Sequence, residues 1–358
     1  MLRQSATGAV SRPGSENEVR QMNQKANRIG KNILITLAPA VLVYLFFFLV
    51  TRLAGSTSFG VGSDLRTIMY NMCYSGFIAL AVSYNLTSGR FDFSVGSVLI
   101  LSLIVGGNLT KEYNLGPLGL VLSVVAVGMV CGLVSGIVYV ILKLPPMVTS
   151  LGVAMIFEAI GFALNKSQGV RLLGRFDILI WAKPQYSYLL LGVVLIILIY
   201  LLDFTKFGYN CRSLQTGQKN AVEVGVNENI NSVVCYIIAG GLMACAGVLY
   251  LSQYGYIAPQ TGLASSSFIM SAFLPMFIGN SLAKYSDRNI GVVVGAFCQA
   301  CLSSGLVALR FASSLQTVIN GAVVLVFLIY TSNSYKFGLH RTWREKKARA
   351  MEALSLRK

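Results

Sequence analysis

Few side chains in this chain could make or break bonds, and none is arranged to do so. The single histidine, His340, lies in a basic stretch beside Arg341, Arg344, Lys346 and Lys347, with no nucleophile near it in sequence. No H-E-x-x-H zinc pattern or G-x-S-x-G nucleophile turn occurs. The nearest approach to a phosphate-binding loop, Thr216-Gly217-Gln218-Lys219, lacks the first glycine and the hydroxyl after lysine. Of seven cysteines, all but Cys211 sit in apolar runs, where they behave as small hydrophobes. Cys298 and Cys301 are three apart in such a run, and neither a metal site nor a disulfide is expected. What remains is non-covalent chemistry by polar groups set into apolar surroundings: Asn71, Asn85, Glu158, Gln299, Gln316 and Asn320. Neutral amides offer donors and acceptors without fixed charge, which suits hydroxyl-rich solutes, and they serve equally as interhelical hydrogen bonds. Glu158 either faces a water-filled path or escapes the apolar phase by snorkelling outward or pairing with an external cation.

The elements that would position these groups are membrane helices. Of the 358 residues 55% are hydrophobic and 12% charged, about half the charge of an ordinary soluble chain at about 25%. Apolar stretches long enough to cross roughly 30 Å of hydrocarbon recur, at 33–52, 65–86, 93–109, 118–142, 147–164, 186–203, 233–252, 265–283, 289–309 and 314–332. The expected fold is all-α and polytopic, with about ten spans. The stretch 265–283, serine-rich with Pro275 inside it, is the weakest, and a broken or re-entrant course suits it. Residues 1–32 are polar and basic and read as a disordered cytoplasmic tail, 33–332 as the transmembrane domain, and 333–358 as a second basic tail.

Charge sets the orientation. With ten spans, both tails fall on one side together with Arg90, Lys143, Lys206, Arg212, Lys219, Lys284 and Arg288. The other side holds Arg52, Arg66, Lys111, Lys166, Arg171, Arg175, Lys183 and Arg310. The richer side is the cytoplasm, so both termini lie inside. The net charge of +16 thereby belongs to the membrane topology, and no nucleic-acid partner is implied.

Three connections carry information. At 79–98 one apolar run breaks into Thr87-Ser88-Gly89-Arg90 and another restarts at Phe93, making a hinge near the cytoplasmic face where Asp92 and Ser94 can cap the second helix. Residues 165–185, outside, carry Trp181 and four cations and read as an interfacial loop or a docking surface. Residues 204–232, inside, contain a short helical stretch from about Thr216 to Val224, closed by Gly225. Gly128-x-x-x-Gly132-x-x-x-Gly136 marks close helix packing.

Five blocks in order resemble the permeases of ribose-type ABC transporters, within the wider branched-chain amino acid and ribose permease superfamily. The run Tyr84-Asn85-Leu86-Thr87-Ser88-Gly89-Arg90-Phe91-Asp92-Phe93-Ser94-Val95-Gly96-Ser97 is similar to T-G-G-I-D-L-S-V-G-S, with Asp92, Ser94 and Gly96 in place and Arg90 where a small residue is usual. Leu144-Pro145-Pro146-Met147-Val148-Thr149-Ser150-Leu151-Gly152 resembles P-P-F-I/V-x-T-L-G. Thr205-Lys206-Phe207-Gly208-Tyr209 looks like T-x-F-G-R, with Asn220-Ala221 and Gly225-Val226 following; Pro259, Gly262 and Gly279, then Gln316 and Gly321, echo the later elements. Residues 279–289 keep little of the family's G-G-T-S-L block, so the chain resembles a divergent member.

The resemblance implies a permease subunit of an importer in the bacterial cytoplasmic (inner) membrane, with no cofactor of its own and no enzymatic step. ATP and magnesium would bind a separate cytoplasmic subunit, and an extracellular or periplasmic binding protein would deliver a monosaccharide or related small polar solute. A second permease subunit, identical or not, would complete the path among membrane lipid. Within 204–232, Thr216, Gly217, Asn220, Ala221, Glu223 and Gly225 would form the helix that couples to the ATPase. Two other readings stand beside this one: a branched-chain amino acid permease of the same superfamily, and an ion-coupled secondary carrier.

Overall fold

The computed structural model describes residues 13–87 and 89–333, the side chains of 13–30, 87 and 165 excepted. His340 and the basic tail beyond Asn333 lie outside the described residues, as does Ser88 of the hinge. The helices in chain order are α1 (Pro13–Leu53), α2 (Gly62–Thr87), α3 (Ser94–Tyr113), α4 (Gly116–Leu142), α5 (Pro146–Ala163), α6 (Pro184–Phe204), α7 (Lys206–Thr216), α8 (Gln218–Glu223), α9 (Glu228–Tyr254), α10 (Ser267–Met270), α11 (Phe273–Leu282), α12 (Arg288–Ala308) and α13 (Ser313–Asn333). Two short strands, β1 (Val170–Arg171) and β2 (Tyr256–Ile257), pair antiparallel, with Val170 opposite Ile257.

Eight described helices are long and apolar enough to cross a membrane: Lys31–Leu53 of α1, then α3, α4, α5, α6, α9, α12 and α13. The all-α, multi-pass fold expected from composition is what forms. Two of the ten expected stretches stand apart. The first, α2, spans 26 residues, roughly 39 Å at 1.5 Å per residue, but is less apolar and buries its second half among neighbours. The second, 265–283, is broken into a 3-10 turn at Ala264–Ser266, then α10 and α11, none of membrane length. Helix α1 begins at Pro13, well before the apolar stretch, where a disordered tail was expected.

The helix ends follow local chemistry. Proline in the first turn opens α4, α5 and α6, where its missing N–H loses no helical bond. Asn227 Oδ1 accepts the Ile230 N–H at 3.1 Å to cap α9, and Gly255, at φ 70°, closes it.

Helices α3 and α9 are the centre, the most enclosed of the long elements. Glycines let α4 and α9 touch along their length: a Cβ on Gly128 would lie 2.6 Å from Gly240 O, and one on Gly132 2.3 Å from Tyr236 O. Such backbone approach is how membrane helices gain packing without a hydrophobic drive between them. One end of the bundle carries α7 and α8, the other the β1–β2 pair; they are called here the connector end and the sheet end.

The sheet-end segment 165–183 is folded onto the bundle, not laid out as an interfacial loop. Val170, Leu172 and Ile178 are buried. Trp181 is buried too and donates Nε1–H to Pro117 O at 2.9 Å, so its indole is an internal anchor and no lipid-interface residue. Arg175 spans this surface, donating to Asn114 Oδ1 at 3.0 Å and to Asp177, which it holds below the usual carboxylate range.

Candidate functional site

The hinge between α2 and α3 is recessed into the bundle. Its side chains are enclosed: Asn85, Arg90 (3% exposed), Asp92 and Ser94. Asp92 Oδ1 accepts the Ser94 N–H at 2.8 Å and the Ser94 hydroxyl at 2.6 Å, and Oδ2 accepts Asn85 Nδ2–H at 3.2 Å. It thus satisfies the first free N–H of α3, as a helix-capping carboxylate would, from one position before the cap residue, Phe93. Ser94 Oγ lies 3.3 Å from Ser135 Oγ on α4. Ser135 is seven residues from the end of α4, roughly 10 Å along the axis, so α3 begins inside the bundle and not at its face.

One turn further on, Gly96 receives the broken segment. A Cβ there would sit 2.2 Å from Ser265 O, so only glycine lets this carbonyl approach α3. From the opposite side, Glu158 of α5 closes the same turn. It is 4% exposed, its Oε2 accepts the Leu263 N–H at 2.8 Å, and its Oε1 accepts the Ser265 N–H at 3.0 Å. Leu263 adopts φ 64°, a strained region for a leucine, directly before these bonds. The carboxylate is therefore the cap of a helix break, and neither snorkels nor meets an external cation. Glu158 lies twelve residues into α5, roughly 18 Å from the connector end, which puts the break near mid-depth of a hydrocarbon layer about 30 Å thick.

The other polar residues singled out from sequence are dispersed. Asn71 is half-buried on α2. Gln299 Nε2 lies 3.4 Å from Ser303 Oγ on its own helix, α12. Gln316 Nε2 donates to Phe311 O at 2.8 Å, and Asn320 Oδ1 is buried on α13 without a partner among the described residues. Sequence reading overlooked the aromatic file beside the break. Tyr250 packs against Tyr254 (centroids 4.6 Å apart, tilted), Phe268 (5.6 Å, perpendicular) and Tyr74 (6.1 Å, tilted). Tyr250 and Tyr254 are one turn apart on α9, but Tyr74 and Phe268 join them from α2 and α10, which no sequence spacing signals.

At the connector end, α7 and α8 form a helical elbow. Thr216 closes α7, its hydroxyl donating to Arg212 O at 2.7 Å, and Gly217 joins the two helices in extended conformation. Ala221 is buried beneath α8, while Asn220, Val222, Glu223 and Val224 are exposed. Gly225, at φ 98°, ends the turn, with its N–H on Val222 O and the Val226 N–H on Ala221 O. From this elbow a polar chain runs inward. Gln218 Nε2 donates to Glu228 Oε1 at 2.5 Å, and that oxygen lies 3.9 Å from Arg90 Nη2. The Arg90 N–H in turn bonds Asn85 O at 2.9 Å.

The chain thus combines a multi-pass helical bundle, a broken segment at mid-depth and a surface elbow linked through Glu228 and Arg90 to the hinge of α3. The sequence profile of the family described as "Branched-chain amino acid transport system / permease component" matches residues 64–328, and the chain belongs to that family. It is 27% identical over 259 residues to the autoinducer 2 import system permease protein LsrC of Photorhabdus luminescens, covering 71% of this chain and 77% of that one. It is 26% identical over 276 residues to the LsrC proteins of Salmonella paratyphi B and Escherichia coli O9:H4, covering 75% of this chain and 78% and 79% of theirs. The chain is a permease subunit of an ATP-binding-cassette importer, a class in which a separate subunit hydrolyses ATP, and a multi-pass protein of the bacterial cytoplasmic membrane.

Proposed function

We propose that this chain forms the membrane path for a small, uncharged, sugar-like solute such as autoinducer-2 or a monosaccharide, handed over by an extracellular binding protein. The observation that carries the solute class is the match of about three-quarters of the chain to autoinducer 2 import permeases. The family description alone would favour a branched-chain amino acid. Such a zwitterion calls for charged partners, and the broken segment from Ala258 to Ala283 contains no charged residue.

The α8 elbow, with Thr216, Gly217, Asn220, Ala221, Glu223 and Gly225, is the coupling element. It docks a cytoplasmic ATPase subunit, which binds ATP and magnesium, and a second permease subunit completes the path. Support comes from the exposed Val222 and Val224 of the elbow itself, and from the Gln218–Glu228–Arg90 chain leading to the hinge of α3. A rigid helix tied to the bundle in this way transmits closure of the ATPase as rigid-body movement. Asp92, Ser94 and Gly96 then hold the start of α3, and Glu158 the break, while Asn85 positions Asp92.

The test is Gly225→Pro, which can neither adopt φ 98° nor donate the bond to Val222. Membrane insertion should persist, while ATP hydrolysis no longer responds to loaded binding protein and uptake is lost. Normal uptake in this variant would remove α8 from the coupling role.

A further inference from the structure

The mid-depth break exposes an irregular, hydroxyl-bearing face. Thr261, Gly262, Ala264, Ser267 and Ser271 are all exposed in the single chain. Irregular backbone at membrane depth is tolerated where protein buries it or where it lines a water-filled cavity. Glu158 and Gly96 account for the buried side of the turn, and the open side carries polar groups that lipid would not stabilise. The Ser267 hydroxyl donates to Ala264 O at 2.8 Å and the Ser271 hydroxyl to Phe268 O at 2.9 Å, so each oxygen keeps lone pairs free to accept. Two further acceptors in the same segment, Gln260 Oε1 and Ser265 Oγ, are buried without a partner among the described residues. Beside these groups stands the aromatic file: Tyr254 exposed, Tyr250 and Phe268 half-buried.

We propose that the open face of this broken segment, formed by Ser267, Ser271 and Phe268 with Tyr250 and Tyr254, is the surface over which the solute passes, and that it takes neutral, hydroxyl-rich molecules. Aromatic faces receive the C–H side of a sugar-like ring, and hydroxyl and amide oxygens accept from its O–H groups. A few oriented polar groups among aromatics is the usual make-up of a small-molecule site. Absence of charge keeps a neutral solute moving and gives no hold to a zwitterion. The assignment rests on the importer reading above and adds where the solute touches this chain.

The experiment is single-cysteine labelling of the assembled transporter in membrane vesicles. All seven native cysteines are buried, so background reaction with a charged, membrane-impermeant thiosulfonate is low. Ser267→Cys and Ser271→Cys should both react, labelling should abolish uptake, and excess ribose or autoinducer-2 with the binding protein should slow it several-fold. Tyr250→Leu should lower uptake of the same solutes roughly tenfold, while Tyr250→Phe, which keeps the ring, stays within about twofold. Reaction only with a lipid-soluble maleimide would mean the face meets lipid, and no reaction with either would mean a dry subunit interface; both overturn the proposal. Reactive positions protected by leucine and not by sugars would keep the path and overturn the solute class, and with it the proposed function.

Discussion

Removing the Glu158 carboxylate tests how the break at 263–265 is held. It accepts two backbone N–H groups, from Leu263 at 2.8 Å and Ser265 at 3.0 Å, in an enclosed place. Hydrogen bonds to a charged acceptor are worth about 1.5–3 kcal/mol each, and a buried N–H left unpaired costs a similar amount. Glu158→Ala strips both and should destabilise by about 3–5 kcal/mol. Glu158→Gln keeps one acceptor oxygen but turns an amide N–H towards the other donor, for a loss of about 2 kcal/mol. The assay is thermal unfolding in detergent read by a thiol-reactive fluorophore, for which the seven buried cysteines supply the signal. At roughly 2 °C per kcal/mol, alanine should lower the midpoint by roughly twice as much as glutamine. A Glu158→Ala midpoint matching the parent, or a Gln variant less stable than the Ala variant, would refute the capping role.

Gly96→Ala would push a methyl to 2.2 Å from Ser265 O, so it should destabilise by about 1–3 kcal/mol and lose uptake while still inserting; unchanged uptake would contradict the close contact. Gly132→Ala meets Tyr236 O at 2.3 Å and should lower the unfolding midpoint in the same assay by a similar amount, by prising α4 from α9. Glu228→Ala removes the acceptor of Gln218 and the partner of the enclosed Arg90, and should reduce solute moved per ATP hydrolysed while the ATPase subunit still co-purifies.

Much of this architecture was legible from local pattern. Apolar runs located the membrane helices, prolines and glycines marked their ends, and Gly128, Gly132 and Gly136 announced the tight face that α9 fills. The serine-rich stretch with Pro275 declared its own irregularity. What stayed hidden depends on pairings far apart in sequence. Glu158 finds its donors more than a hundred residues away, so its capping of the break had no local signal. The recess of the hinge follows from Ser94 meeting Ser135, and Trp181 is held inside because its acceptor, Pro117, lies far off in sequence at the start of α4. Arg90, which departs from the resembled motif, finds its reason in Glu228 on the far side of the α7–α8 elbow.

The most direct measurement is uptake of labelled autoinducer-2 and ribose into proteoliposomes holding this permease with its ATPase, with binding protein added on the opposite side from ATP. The account predicts accumulation that requires both ATP and binding protein and that leucine does not compete. Accumulation that follows a proton or sodium gradient and survives ATP depletion, or that carries leucine and no sugar-like solute, would contradict it.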